Sequence, residues 1–185
     1  MINSLYNILW MIRIWRYFNN TDMNLYFYLH NIDYTAIIQA KVYGYNEDLK
    51  IYILPFPINQ RLDFNETIET IKEEYLANNT LKKLYIEDVG YQKATIQELN
   101  RLNIKADGIS VQGNDKRARL ASITHIIQQG KILFPNKGCE DLIMQLTGFG
   151  IEKHDDPVDA ITLLVIQEIE NSRSGFAYGF ITDII

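Results

Sequence analysis

At 185 residues, 47% hydrophobic and 22% charged, the chain is long enough for one domain with a sizeable core and short for two full ones. Its net charge of −5 excludes a protein that grips nucleic acid by overall basicity, so any phosphate contacts have to come from a local basic patch. The single cysteine, Cys139, forbids an internal disulfide, and no Cys/His spacing suits zinc, which points to a reducing, intracellular setting.

The chain opens on an apolar run, Ile8, Leu9, Trp10, Met11, Ile12, Ile14 and Trp15, broken by Arg13 and Arg16. It is too short and too charged for a membrane span, which needs roughly 20 apolar residues, and no small-residue cleavage site follows it. An amphipathic helix packed on the domain is expected within Met1 to Asn20, or an abnormal start left by loss of upstream coding sequence. Tyr34 to Val42 and Lys50 to Leu54 are apolar and β-branched, hence strands, with the polar Tyr45 to Asp48 as a turn between them. Asp63 and Asn65 suit the cap of a helix from Glu66 to about Leu76, whose apolar face is Ile68, Ile71, Tyr75 and Leu76.

Lys83 to Ile86 reads as a short buried strand that ends in two acids, Glu87 and Asp88. A helix from Gln92 to Leu102, a brief strand from Ile109 to Val111 and a helix from Asp115 to Gln129 follow, the last stopped by Gly130. Lys131 to Phe134 is extended, Glu140 to Leu146 is helical, and Asp156 to Ile169 forms a long final helix. A strand pair followed by alternating helices and strands predicts an α/β fold, a central mixed β-sheet flanked by α-helices.

Chemistry concentrates in a few places. Acids directly after a strand face the crevice where open sheets place their sites, although Glu87 and Asp88 also suit a solvated turn. Between His154 and Asp159 four titratable side chains crowd together: His154, Asp155, Asp156 and Asp159. Pro157 suits a first helical turn and Asp156 the cap before it, so good capping explains part of this segment. Hard carboxylate oxygens converging from separate elements explain the rest, since Mg²⁺ and Mn²⁺ take such ligands. Asp33, before the strand Tyr34 to Val42, is a weaker candidate. Arg101, Lys105, Lys116, Arg117 and Arg119 form a basic stretch able to meet phosphates.

The segments YIEDVGYQKATIQELNRLNI (Tyr85 to Ile104), DKRAR (Asp115 to Arg119), GKILFP (Gly130 to Pro135) and KHDDPVDA (Lys153 to Ala160) occur in that order. Together with DYTAIIQAKVYG (Asp33 to Gly44), they resemble the nuclease domain of phage terminase large subunits over about residues 33 to 170. The resemblance implies an RNase H-like endonuclease, residues 25–175, between an atypical N-terminal segment (1–24) and a C-terminal tail (176–185). It implies cleavage of double-stranded, concatemeric phage DNA with two Mg²⁺ or Mn²⁺ ions, in the cytoplasm of a bacterial host. By the same likeness Glu87, Asp156 and Asp159 are catalytic and bind metal, with Asp155 and Asp33 as further ligands. Lys116, Arg117, Arg119, Arg101 and His154 then contact DNA, and the partners are the terminase small subunit, the portal and a separate ATPase domain.

Two departures from the family pattern stand beside this. The family carries a further Asp on its first strand; Asp22 lies at about the right distance, but in the context NNTDMN. No G-x-x-x-x-G-K-[ST] loop is present, so no nucleotide is expected on this chain. A separately encoded nuclease half, or a catalytically impaired prophage remnant that keeps the fold and at most binds DNA or a packaging partner, are the readings left open.

Overall fold

The run Thr-Ala-Ile-Ile-Gln-Ala does not alternate, because both faces of its strand are covered. The computed structural model describes residues 13–15, 24–31, 34–77, 81–90, 92–110, 116–148 and 156–178. In it this run lies in β3 (Thr35–Tyr43), and Ile37 and Ile38 are buried in separate cores on opposite faces. Before it come β1 (Arg13–Trp15) and β2 (Asn24–Asn31); after it, a 3-10 turn at Asn46–Asp48, β4 (Lys50–Ile53) and β5 (Ile58–Gln60). Then follow α1 (Phe64–Ala77), β6 (Leu81–Glu87), α2 (Gln92–Arg101), β7 (Ala106–Ile109) and α3 (Lys116–Gln128). The order closes with β8 (Ile132–Pro135), α4 (Glu140–Thr147) and α5 (Asp156–Tyr178).

The sheet runs β1-β8-β4-β3-β2-β6-β7, with β5 pairing the first residues of β3. β2, β3 and β4 form an antiparallel meander. β6 joins β2 in parallel and β7 joins β6 in parallel, steps that need a crossover connection, and α1 and α2 precede these two strands; β8 pairs in parallel with both β4 and β1. These two helices cover one face, where Ile68, Ile71 and Leu99 meet Ile37, Leu84 and Ile86. Helices α3, α4 and α5 cover the other, where Ile123, Leu142 and Leu164 meet Ile38, Ile51 and Phe134. The mixed sheet flanked by helices is the architecture the sequence predicts.

Local chemistry sets the element ends. Asp63 Oδ1 accepts the Glu66 N–H at 2.9 Å while Glu66 Oε2 accepts the Asp63 N–H at 2.8 Å, a reciprocal capping box that starts α1. On the same strand face as Ile37, Thr35 shares a hydroxyl contact with Thr67 at 3.3 Å and Gln39 Nε2 donates to Glu74 Oε2 at 2.7 Å, fixing α1 on β3. Helix α5 is buried from Asp156 through Val165 because it lies on β2 and β3 with α3 and α4 beside it; a helix enclosed this way is apolar all round rather than striped.

Three sequence expectations are corrected. Arg13–Trp15 is not helical but pairs in parallel with Leu133–Pro135, because the edge of β8 offers an unpaired row of backbone groups. The strand expected at Ile109 to Val111 lies at Ala106–Ile109; Ala, Asp and Gly are weak strand formers, and pairing with β6 outweighs that. Gly108 packs closely there: a Cβ would sit 3.1 Å from Ile96 Cδ1 and 3.3 Å from Asp88 Cβ, so a larger residue would press on both. Finally, β2 and β5 add two strands to the elements expected from the sequence.

One buried acid lies under the sheet. Asn171 Nδ2 donates to Tyr85 Oη at 2.7 Å and to Glu168 Oε1 at 3.2 Å. Burial pushes the Glu168 carboxyl up from its ordinary 4.5 to about 7, against the opposing pull of Asn171, Lys83 and Tyr85. A folded-state pKa above the unfolded one means the native chain holds the proton more tightly. That stability is complete below about 4.5 and is lost as pH rises toward about 7, at about 1.4 kcal/mol per pH unit. Glu168→Gln is therefore expected to flatten this part of the stability profile and to be more stable than wild type at pH about 8. Urea unfolding across the window checks it, and parallel profiles for the two chains would contradict it.

Candidate metal and nucleic-acid site

Strand alternation decides where the acid at the end of β6 points. Leu84 and Ile86 enter the core under α1 and α2, whereas Tyr85 enters the core under α5, where its hydroxyl accepts from Asn171. Glu87, two residues on, therefore faces the α5 side, and it is only 6% exposed. Its neighbour across the ladder, Ile109, packs against that same core. The chain then leaves the sheet: the Asp88 N–H donates to Ile109 O at 2.7 Å, the Val89 N–H to Glu87 O at 3.0 Å, and Gly90 takes φ +53°. Asp88 is partly exposed and lies 3.8 Å from Lys93 Nζ. Of the two acids that the sequence leaves open as turn or site residues, Glu87 is thus the buried one.

Asp156 and Asp159 occupy the first turn of α5, three apart and so on one face, with Pro157 where its missing N–H costs least. Both are buried, at 6% and 2% exposure. Asp159 is held from α3: Arg119 Nη2 donates to its Oδ1 at 2.9 Å and Lys116 Nζ lies 2.5 Å from its Oδ2. Arg119 is itself 9% exposed, whereas the Lys116 side chain is 40% exposed and Arg117 stands at the surface.

The single basic patch read from the sequence is corrected. Arg101 belongs to α2, on the face of the sheet opposite α3, and pairs with Glu98 at 2.6 Å. Arg119 faces inward to Asp159 rather than outward to a phosphate. Sequence reasoning misses that pairing because it joins residues 40 apart; the matching three-residue spacing of Lys116 and Arg119 is the available hint. Asp22, Asp33, His154 and Asp155 lie outside the described residues. β2 runs beside β6 with Leu29 opposite Ile86, so β2 ends and β3 begins at the end of the sheet where Glu87 stands.

Glu87 and Asp156 offer the hard oxygen donors that Mg²⁺ and Mn²⁺ prefer, and both sit on the α5 side of the sheet. In kind they fit such an ion. In number the fit is incomplete: among the described residues no three His, Cys, Asp or Glu side chains group closely enough to hold one. Among the same residues no helix is long and apolar enough to cross a membrane.

Comparison with known proteins gives a consistent answer. The family model of the terminase RNaseH-like domain matches residues 22–168. The large terminase nuclease of thermophilic phage G20c, solved with bound zinc, superposes with TM-score 0.63 at 15% identity, covering 89% of this chain and 99% of that one. The large terminase of another thermophilic bacteriophage gives TM-score 0.68 at 11% identity over 88% of this chain, which spans 44% of that protein. The human cytomegalovirus terminase nuclease domain, Mn-soaked and inhibitor-bound, gives TM-score 0.58 at 16% identity over 89% of this chain and 92% of that one. At these identities the structural likeness speaks for the fold alone. None of the curated proteins matches the sequence. Matched over most of its length by that family model, and folded as a mixed sheet between two helical layers, the chain belongs to the terminase RNaseH-like domain family.

Proposed function

We propose that the chain is the DNA-cutting part of a phage packaging terminase, a Mg²⁺- or Mn²⁺-dependent endonuclease acting on double-stranded, concatemeric DNA. The observation that carries this reading is the burial of Glu87 and Asp156 on one side of the sheet, at the end of β6 and the start of α5, in a chain of this family. By the family likeness Glu87, Asp156 and Asp159 would hold the cations, with Asp155 and Asp33 as further donors. When bound, a pair of such ions supplies the activation of water and the neutralisation of the leaving oxygen that phosphodiester hydrolysis requires. The chain's own residues orient the substrate: Lys116 and Arg117, at the start of α3, and His154 draw the phosphate backbone toward the carboxylates. The terminase small subunit, the portal and a separate ATPase domain are the partners this function calls for.

The test is supercoiled plasmid incubated with the chain and Mn²⁺. Relaxed circles are expected, and none in EDTA; equal cutting in EDTA would sink the metal dependence. Retained DNA binding with no cutting in Mn²⁺ would favour the alternative, a catalytically impaired chain that keeps the fold. A companion measurement concerns Lys116. If it meets a phosphate, Lys116→Gln weakens binding of all sequences alike and lowers the salt slope of log affinity by about one. Titrations between about 50 and 200 mM salt read this directly, and an unchanged slope would remove Lys116 from the interface.

A further inference from the structure

We infer that Asp159 is a positioning residue and not a metal ligand: it joins the starts of α3 and α5 and so sets Asp156, one turn earlier, in place. The inference rests on the metal-dependent reading above and changes its ligand set. Helix α3 begins Lys-Arg-Ala-Arg, with no acid in its first turn, so three cations crowd the end of a helix that already carries partial positive charge. Helix α5 begins with two acids, Asp156 and Asp159. The structure relieves the first helix with the second. Each oxygen of Asp159 faces its own cation, Arg119 at 2.9 Å and Lys116 at 2.5 Å, and the Asp159 side chain is 3% exposed.

A divalent cation bound to Asp159 would lie about 2.1 Å from a carboxylate oxygen, and so within a few ångströms of a guanidinium and an ammonium group in a site with little water to screen them. Accommodating it would set a divalent charge against both partners, one of them a buried Arg119, and weaken both ion pairs. A carboxylate with this surrounding serves the metal through its neighbour. It fixes the first turn of α5, and Asp156 on the same face inherits that order.

The experiment is calorimetric titration of the full chain with Mn²⁺ alone, with urea unfolding in parallel, for wild type, Asp156→Asn and Asp159→Asn. Asp156→Asn is expected to lose measurable Mn²⁺ binding. Asp159→Asn is expected to weaken it by about tenfold, the effect of removing a group that orients a ligand, and to lower the urea midpoint. A loss as complete as that of Asp156→Asn would make Asp159 a ligand and overturn the inference. Unchanged Mn²⁺ affinity would overturn it from the other side, leaving the ion pairs purely structural, and so would an unchanged midpoint. Wild type that takes up no Mn²⁺ fails at a different point: it removes the metal-dependent function itself, and this assignment with it.

Discussion

Glu87→Ala is expected to abolish Mn²⁺-dependent nicking while leaving the chain folded. Two-ion hydrolysis draws several kcal/mol of barrier lowering from correctly placed cations; loss of about 4 kcal/mol corresponds to about a thousandfold in rate. β6 is held by backbone pairing to β2 and β7 and by the burial of Leu84 and Ile86, none of which the substitution touches. Glu87→Gln should fail in the same way, since an amide keeps the shape but not the anionic oxygens that a hard cation takes. Asp88→Ala, one residue further and partly exposed beside Lys93, is the matched control and should cut at close to the wild-type rate. Persistent cutting by Glu87→Ala, free of contaminating nuclease, would reject the assignment; loss in Asp88→Ala alone would move it by one residue.

That pair of variants marks what the sequence discloses and what it does not. Lys-Leu-Tyr-Ile followed by two acids is legible as a strand ending in charge, but a solvated turn ends a strand in the same way, so the sequence leaves the two uses open. Which acid turns inward depends on the phase of β6 against its neighbours, and that phase is set by pairing with β2 and β7. The helices are legible for a related reason: α1 and α2 carry local apolar periodicity, α5 a long apolar run after its acidic first turn, and α1 also carries its capping acids. Strand β7 is hidden because Ala-Asp-Gly-Ile has no strand character until β6 lies beside it. The side of the sheet on which Arg101 and Arg119 fall is hidden more deeply. They stand close in sequence on successive helices, but α2 covers one face and α3 the other, and no local pattern encodes that crossing.

Arg119→Met is expected to be the most destabilising single change near the site, by about 3 to 5 kcal/mol, because removing one partner of a buried pair leaves the other charge uncompensated. Asp159 stays buried in that variant, and the cation still facing it is Lys116, a half-exposed lysine. Partial relief from Lys116 places the cost nearer the lower limit, which for a chain of this size lowers the thermal midpoint by about 10 °C. The decisive companion is Arg119→Met with Asp159→Leu. When both charges of a buried pair are replaced by apolar groups of similar volume, the desolvation cost of each disappears together, and stability commonly returns. Thermal and urea unfolding of wild type, the single and the double variant therefore separate two origins of the effect. Recovery in the double variant traces the loss to a stranded Asp159 carboxylate. A single variant that costs less than about 1 kcal/mol, the range of exposed pairs, would mean that solvent reaches Asp159 freely and that α3 and α5 are held by their apolar contacts alone.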